Sequence, residues 1–187
     1  LSAQPGLWTW ISGDTTYNGW GKYGPKGMAS DSIYPPSRTA AISWTDTGGN
    51  FWLYGGATPY VQGSPTTSLA DLWKFDPLTN RWTYMGGTKF DASTIGYGDP
   101  QAVKHSFMNF DSVNCPGAAR SSGFTWLTPD NHLWFLNALD ATDFWQYDPT
   151  INQWAWMGDW DYRIIDTTGT PGSSPGIRKQ GCAWVDK

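Results

Sequence analysis

The residues that could perform catalysis or hold a metal are few and scattered. His105 and His132 are the only histidines, and no two ligands have the His-x3-His or Cys-x2-Cys spacing of a metal site. The segment Asp159-Trp-Asp161 is acidic but lacks the Asp, Asn and Gly spacing of a calcium loop. No Gly-x-Ser-x-Gly motif occurs, and all 16 acidic residues are aspartates, which often serve in turns. We therefore expect no catalytic residue, no metal ligand and no cofactor.

Aromatic side chains are the other groups that could recognise a ligand. The 187 residues include 14 Trp, 9 Tyr and 8 Phe. Trp20, Tyr23, Tyr60 and Trp160 fall in predicted loops, where an aromatic ring either contacts a ligand or packs down on the fold. We treat these four as candidate contacts for sugar rings or for side chains of a protein partner.

Charge and cysteine content bound the partners and the compartment. The formal charge is −4 and the twelve Lys and Arg residues are dispersed, so we expect no nucleic-acid partner. The apolar runs are too short to cross a membrane. Cys115 and Cys182 could form one disulfide, which favours a secreted or cell-surface protein, although two buried free thiols are an alternative. Leu1 is not an initiator Met, and we expect a processed or trimmed N-terminus.

A repeat organises the elements that must position these residues. The stretch from Asp71 to Gly87 returns at Asp143 to Asp159 with matching residue types. Leu7 to Asp14 resembles the second half of the same unit, so Trp8, Trp82 and Trp154 are equivalent. These tryptophans are 74 and 72 residues apart, and so long a repeat period predicts that each unit is a small sheet with loops.

Alternating apolar and polar residues, separated by Gly, Pro, Asn and Asp turns, predict four antiparallel strands per unit. The first set is 39–46, 51–56, 72–76 and 81–85, and the second is 121–128, 132–137, 144–148 and 153–157. One arginine marks the start of each of three units, and a tryptophan follows it six residues later. The pairs are Arg38 and Trp44, Arg120 and Trp126, and Arg178 and Trp184. Function is expected outside these strands, in the loops 13–36 and 88–119.

The unit resembles a kelch repeat, the four-stranded blade of a β-propeller. The marks of that family are Gly-Gly after an apolar strand, then an aromatic residue and a tryptophan, and here they are Gly55-Gly56, Phe75 and Trp82. Tyr147 and Trp154 match in the second unit, where Asn137-Ala138 replaces Gly-Gly.

The resemblance implies an all-β fold with about two and a half blades, which this chain alone cannot close into a ring. Its parts are 7–14 as the last strand of one blade, 38–87 and 120–159 as full blades, and 176–187 as the first strand of another. Because an open stack leaves apolar faces in water, we expect the remainder of a longer chain, or other copies, to complete the propeller.

The resemblance also implies roles for the repeated residues. Trp8, Trp82 and Trp154 are expected to pack between blades. Arg38 and its two equivalents are expected to form a repeated ion pair or carbonyl hydrogen bond, with an anion-binding ring as the alternative. The implied function is a non-enzymatic structural and protein-interaction module, extracellular or on the cell surface. The alternatives are a carbohydrate-binding propeller and a fragment of a copper-radical oxidase resembling galactose oxidase.

Overall fold

The structure is a computed structural model that describes residues 6, 8–59, 67–88, 107–118, 124–137 and 143–159. Within these residues the chain forms two antiparallel five-stranded sheets and no helix. The first sheet consists of β1 (Ala29–Ser30), β2 (Ile42–Thr45), β3 (Phe51–Tyr54), β4 (Ala70–Asp76) and β5 (Arg81–Thr88). The second consists of β6 (Phe110–Asp111), β7 (Phe124–Leu127), β8 (Leu133–Asn137), β9 (Asp143–Asp148) and β10 (Gln153–Asp159). The prediction of an all-β chain with antiparallel sheets is confirmed.

Each sheet has one strand more than the predicted four. The orders are β1-β5-β4-β3-β2 and β6-β10-β9-β8-β7, so the segment that leads into each unit adds a short outer strand. Ala29 pairs with Thr83 in the first sheet, and Phe110 pairs with Ala155 in the second. These short strands cover part of an edge that would otherwise leave backbone N–H and C=O groups unpaired. The predicted loops 13–36 and 88–119 therefore contribute to the sheets.

Turn chemistry fixes the register of the outer hairpin, as the sequence predicted. Asp76 accepts a hydrogen bond from the backbone N–H of Leu78 at 2.8 Å and another from the hydroxyl of Thr79 at 2.8 Å. Asn80 has a φ of 56°, in the left-handed region that asparagine tolerates. The equivalent Asn152 has a φ of 53°, so both units close this hairpin in the same way.

The predicted strand at 7–14 is not formed by residues 8–14, the part of it that the structure describes. The described residues 8–14 lie in no strand, and Trp8 is 101% exposed. A strand needs a neighbouring strand to satisfy its backbone groups, and among the described residues β5 and β10 already pair on both sides. Residues 8–14 thus have no pairing strand among the described residues, and sequence similarity to β5 and β10 does not by itself produce a strand. The predicted unit at 176–187 lies outside the described residues.

The two sheets pack face to face through aromatic side chains, with β2 beside β7. Trp52 meets the ring of Tyr147 edge-on at 5.5 Å. Tyr54 contacts Phe135 at 5.6 Å and Trp154 at 5.5 Å between ring centroids. Such pairs add about 0.5–1.5 kcal/mol each beyond area burial. The main core therefore lies between the sheets.

A second, smaller core covers the other face of the first sheet. Trp73 and Tyr84 are buried there beneath Ile33 and Tyr23 from the loop before β2. This loop is thus part of the packed structure, and it places polar groups beside a buried ion pair of the first sheet.

Candidate functional site

A buried ion pair between Arg38 and Asp71 is the main polar centre of the first sheet. The guanidinium donates to both carboxylate oxygens of Asp71, Nη1 to Oδ1 at 2.6 Å and Nη2 to Oδ2 at 2.9 Å. Nη1 also donates to the carbonyl of Gly55 at 2.8 Å, and Nε donates to that of Pro36 at 3.1 Å. Arg38 thus has the ion pair and the carbonyl bonds expected of a structural arginine. Arg120 and Arg178 lie outside the described residues.

Asp71 joins this arginine to two aromatic residues. Its Oδ2 also accepts hydrogen bonds from the Tyr23 hydroxyl at 2.6 Å and from Trp73 Nε1 at 2.7 Å. Four donors thus bind this fully buried carboxylate. Three of these bonds come from Arg38 and Tyr23, in the segment before β2, which we term the entry loop. Asp71 therefore holds the entry loop on the sheet. Sequence reasoning missed Asp71 as a site residue. The signal was available, because Asp143 repeats it and is also buried.

The four predicted contact residues have different outcomes. Trp20 is exposed. Tyr23 points inward, with its ring 5.0 Å from that of Trp73 and 5.3 Å from that of Tyr84. Its hydroxyl is used by the buried carboxylate described above, so the prediction of a ligand contact is replaced by a structural role. Tyr60 and Trp160 lie outside the described residues.

The three tryptophans that were predicted to pack between blades lie in different environments. Trp154 is buried between the sheets, 4.7 Å from the Tyr147 ring. Trp82 is half-buried on the outer face of the first sheet, where it packs on Phe75 at 5.0 Å. Trp8 has no such environment, as its full exposure shows.

The Gly55-Gly56 mark has a steric cause. Gly55 has a φ of 63° and Gly56 a φ of 93°, conformations that glycine adopts without strain. A side chain at Gly56 would place its Cβ 2.6 Å from the carbonyl oxygen of Thr39. The close approach of the segment before β2 therefore requires glycine at this point.

A cleft of about 220 Å³ lies between the sheets at the β5 and β10 strands. Polar groups span it: Asn152 Nδ2 donates to the Met85 carbonyl at 2.9 Å, and Asn152 Oδ1 accepts from the Tyr147 hydroxyl at 2.8 Å. Lys26 and Asp111 bring opposite charges to its lining. The cleft is suited to a small polar molecule rather than to an apolar one.

Cys115 lines the same cleft as a free thiol. Its Sγ lies 3.3 Å from the Pro116 carbonyl oxygen. Burial raises the pKa of the Cys115 thiol to about 11, and the opposing charge of Lys26 reduces the rise. The thiol is therefore protonated at neutral pH, which makes it a poor nucleophile. Its predicted disulfide partner, Cys182, lies outside the described residues, so the bridge stays a prediction.

His132 stands between two carboxylates. Its Nδ1 is 3.3 Å from Asp130 Oδ2, and its Nε2 is 3.4 Å from Asp148 Oδ2. Gln146 Nε2 is 3.0 Å from Nδ1, and the ring packs edge-on against Phe110. The carboxylates bind opposite sides of the ring, so the three groups join the turns of the second sheet. Among the residues described, no cluster of three or more His, Cys, Asp or Glu side chains could hold a metal ion.

The N-terminal segment presents an exposed aromatic surface, of which the sequence singled out only Trp20 as a candidate contact. We define it by its exposed large side chains: Trp8, Trp10, Ile11, Tyr17 and Trp20. Tyr17 is 93% exposed, although large aromatic side chains are seldom left in water. A readable signal was the density of aromatics in a segment rich in Gly, Asn and Thr.

No protein-family model matches the chain, and no curated protein is significantly similar to it. Across the part of the chain that the structure describes, no helix has the length and apolar character needed to cross a membrane.

Proposed function

We propose that this chain is part of a kelch-type β-propeller that acts as a non-enzymatic structural and protein-interaction module, outside the cell or at its surface. The repeated sheet order supports this assignment, as does the packing of the two sheets with their β2 and β7 strands side by side. Propeller blades are radially repeated sheets around an axis. The module is rigid because the sheets share one aromatic core.

The observation that carries the interaction role is the exposed aromatic surface on this rigid base. The surface is anchored where the Ser37 backbone N–H donates to the Gly19 carbonyl at 2.8 Å. Asp14 orders the loop by accepting the Thr16 hydroxyl at 2.7 Å, and this bond and the Thr16 backbone bond lower the Asp14 pKa. Exposed aromatic rings on an ordered support provide contact area that a partner can bury at little entropic cost.

A differential binding experiment tests this role. Beads carrying the wild-type chain are incubated with the extracellular fraction of the source organism, in parallel with a Trp8→Ala, Trp10→Ala, Tyr17→Ala variant. We expect the wild type to retain proteins that the triple variant loses, while Leu78→Ala, an exposed turn control, retains them. Equal retention by the triple variant and the wild type would contradict the proposal.

The same exposed rings favour one second candidate, a carbohydrate-binding module. Flat aromatic faces can stack on the apolar faces of sugar rings, and the neighbouring Asp14 and Asn18 offer polar groups for hydroxyls. A panel of soluble polysaccharides measured by affinity electrophoresis separates the two candidates. Retardation that is lost in Trp20→Ala, at unchanged thermal stability, supports sugar binding. Unretarded migration on every polysaccharide supports the protein-interaction role.

A further inference from the structure

The cleft between β5 and β10 has a lysine and a carboxylate in its lining, and the two come from different parts of the chain. Lys26 lies in the entry loop, in a turn that is held on the first sheet because the backbone N–H of Gly27 donates to the Tyr84 carbonyl of β5 at 2.8 Å. Asp111 lies in β6, the outer strand of the second sheet. Both side chains line the cleft, so each sheet supplies one charge to it.

The ammonium group of Lys26 is available to a ligand. Within the part of the chain that the structure describes, the side chain of Lys26 makes no ion pair and no hydrogen bond. It lies over β5, where a Cβ at Gly86 would be 3.2 Å from its Cε and 3.5 Å from its Nζ. Burial raises the pKa of the Cys115 thiol and the nearby Lys26 charge reduces that rise, so this charge also acts inside the cleft.

Asp111 presents a fixed carboxylate to the same space. Its Oδ1 accepts the backbone N–H of Val113 at 2.8 Å, which orders the turn after β6. A carboxylate has about four acceptor positions, so Asp111 can accept hydrogen bonds from a ligand in addition to those it makes within the protein. Because Lys26 makes no ion pair, the two opposite charges stay apart, and one ligand that carries both signs complements them.

The rest of the lining limits the size and the apolar part of such a ligand. Leu72, Met85 and Trp154 contribute apolar surface to the cleft, on which a short aliphatic group can pack. The volume is about 220 Å³. Since a water molecule takes about 30 Å³ of liquid, this space fits a molecule of roughly seven to ten non-hydrogen atoms. A peptide or an oligosaccharide is too large.

We propose that the cleft binds a free amino acid with a short aliphatic part, whose carboxylate pairs with Lys26 and whose ammonium group pairs with Asp111. Because Lys26 is exposed, its ion pair is partly screened by water, and the expected Kd is about 0.1–1 mM. None of the cleft residues belongs to the N-terminal aromatic surface. The inference therefore goes beyond the proposed function and does not depend on it.

Isothermal titration calorimetry on the whole chain tests the proposal with two isomeric probes, L-leucine and 6-aminohexanoate, which differ in the spacing of their two charges. At least one of them is expected to bind with the affinity given above. The amide of that probe lacks the negative charge, and the matching acid without the amine, 4-methylpentanoate or hexanoate, lacks the positive charge. Each of these analogues is expected to bind about 10-fold more weakly than the amino acid.

Two variants assign the charges to their residues. Lys26→Met keeps the length of the side chain, and it should bind the amino acid about 10-fold more weakly and lose the preference over the amide. Asp111→Asn retains an acceptor for the Val113 N–H, and it should lose the preference over the acid without the amine. Lys22→Met removes another exposed lysine of the entry loop and should bind the amino acid like the wild type.

Three results would overturn the inference: neither probe binding with a Kd below about 10 mM, a wild type that binds the amide as tightly as the amino acid, or a Lys26→Met variant that keeps the preference over the amide. Circular dichroism reports folding, and if Asp111→Asn is unfolded the Lys26→Met comparison decides alone. Absence of amino-acid binding in a chain that still retains extracellular proteins through its N-terminal aromatics would remove this inference and leave the proposed function standing.

Discussion

Replacing Asp71 by asparagine tests the centre that ties the entry loop to the first sheet. The change keeps the size and shape of the side chain, and it removes the negative charge beside the buried Arg38 guanidinium. The new amide also presents N–H groups where the carboxylate accepted four hydrogen bonds, from Arg38, Tyr23 and Trp73. Donors would then face donors in a site closed to water.

The expected cost follows from that geometry. Removing one partner of a buried ion pair typically costs about 3–5 kcal/mol, because the remaining charge is left uncompensated. Arg38 keeps its bonds to the carbonyls of Gly55 and Pro36, which limits the loss to the lower part of that range. We expect Asp71→Asn to lower the free energy of unfolding by about 3 kcal/mol.

Guanidinium unfolding followed by tryptophan fluorescence measures this loss, and a double-mutant cycle assigns it to the pair. Arg38→Met combined with Asp71→Asn is expected to cost less than the sum of the single changes, by about 2 kcal/mol. Asp31→Asn is the matched control at an exposed site, and its effect should stay within about 0.5 kcal/mol. A loss below about 1 kcal/mol for Asp71→Asn, or an additive cycle, would refute the reasoning.

Three further changes have expected outcomes. Gly87→Ala should lower the free energy of unfolding far more than Gly49→Ala. A Cβ at Gly87 clashes with a main-chain oxygen of β4, whereas Gly49 faces open space at a similar φ. Chemical unfolding of both variants measures the two losses. Under reducing conditions, stability measured relative to Cys115→Ala should be constant below pH 9 and fall by about 2–3 kcal/mol towards pH 11, because burial raises the Cys115 pKa from 9.0 to about 11. Buried Tyr54, Tyr84 and Tyr147 also have raised pKa values, but they are present in both proteins and cancel in this difference. A difference that does not change with pH contradicts the prediction. Tyr23→Ala should lower the melting temperature by several degrees and Trp8→Ala should not, which differential scanning fluorimetry distinguishes.

The sequence predicted the parts of the fold that depend on local chemistry. Alternation placed most strands, and Asp76 and Asn80 predicted the outer hairpin turn because their preferences act within a few residues. The predicted strand from 39 shortened to one starting at Ile42, since Ala40 adopts a φ of 56° that breaks the extended run. Such a break has no signature in residue type, because alanine rarely adopts a left-handed φ.

The parts that the sequence could not give depend on which groups meet in space. Tyr23 and Trp20 are three positions apart in the same loop, yet one hydroxyl reaches the buried Asp71 and the other ring stays exposed. Trp8 and Trp154 occupy equivalent positions in the repeat, yet only Trp154 has a sheet to pack against. The two residues of each pair have similar sequence surroundings. Whether a sheet lies beside the side chain therefore decides whether the side chain is buried or exposed.

Hydrogen exchange on Trp52→Ala tests most directly whether the two sheets are one packed unit, which is the basis of the proposed module. Trp52 belongs to β3 and contacts Tyr147 of β9 across the interface. Its removal is predicted to accelerate amide exchange in β8 and β9 of the second sheet as well as in β3 and β4. Faster exchange confined to the first sheet would contradict the account, because it would show that the sheets are stable independently of each other.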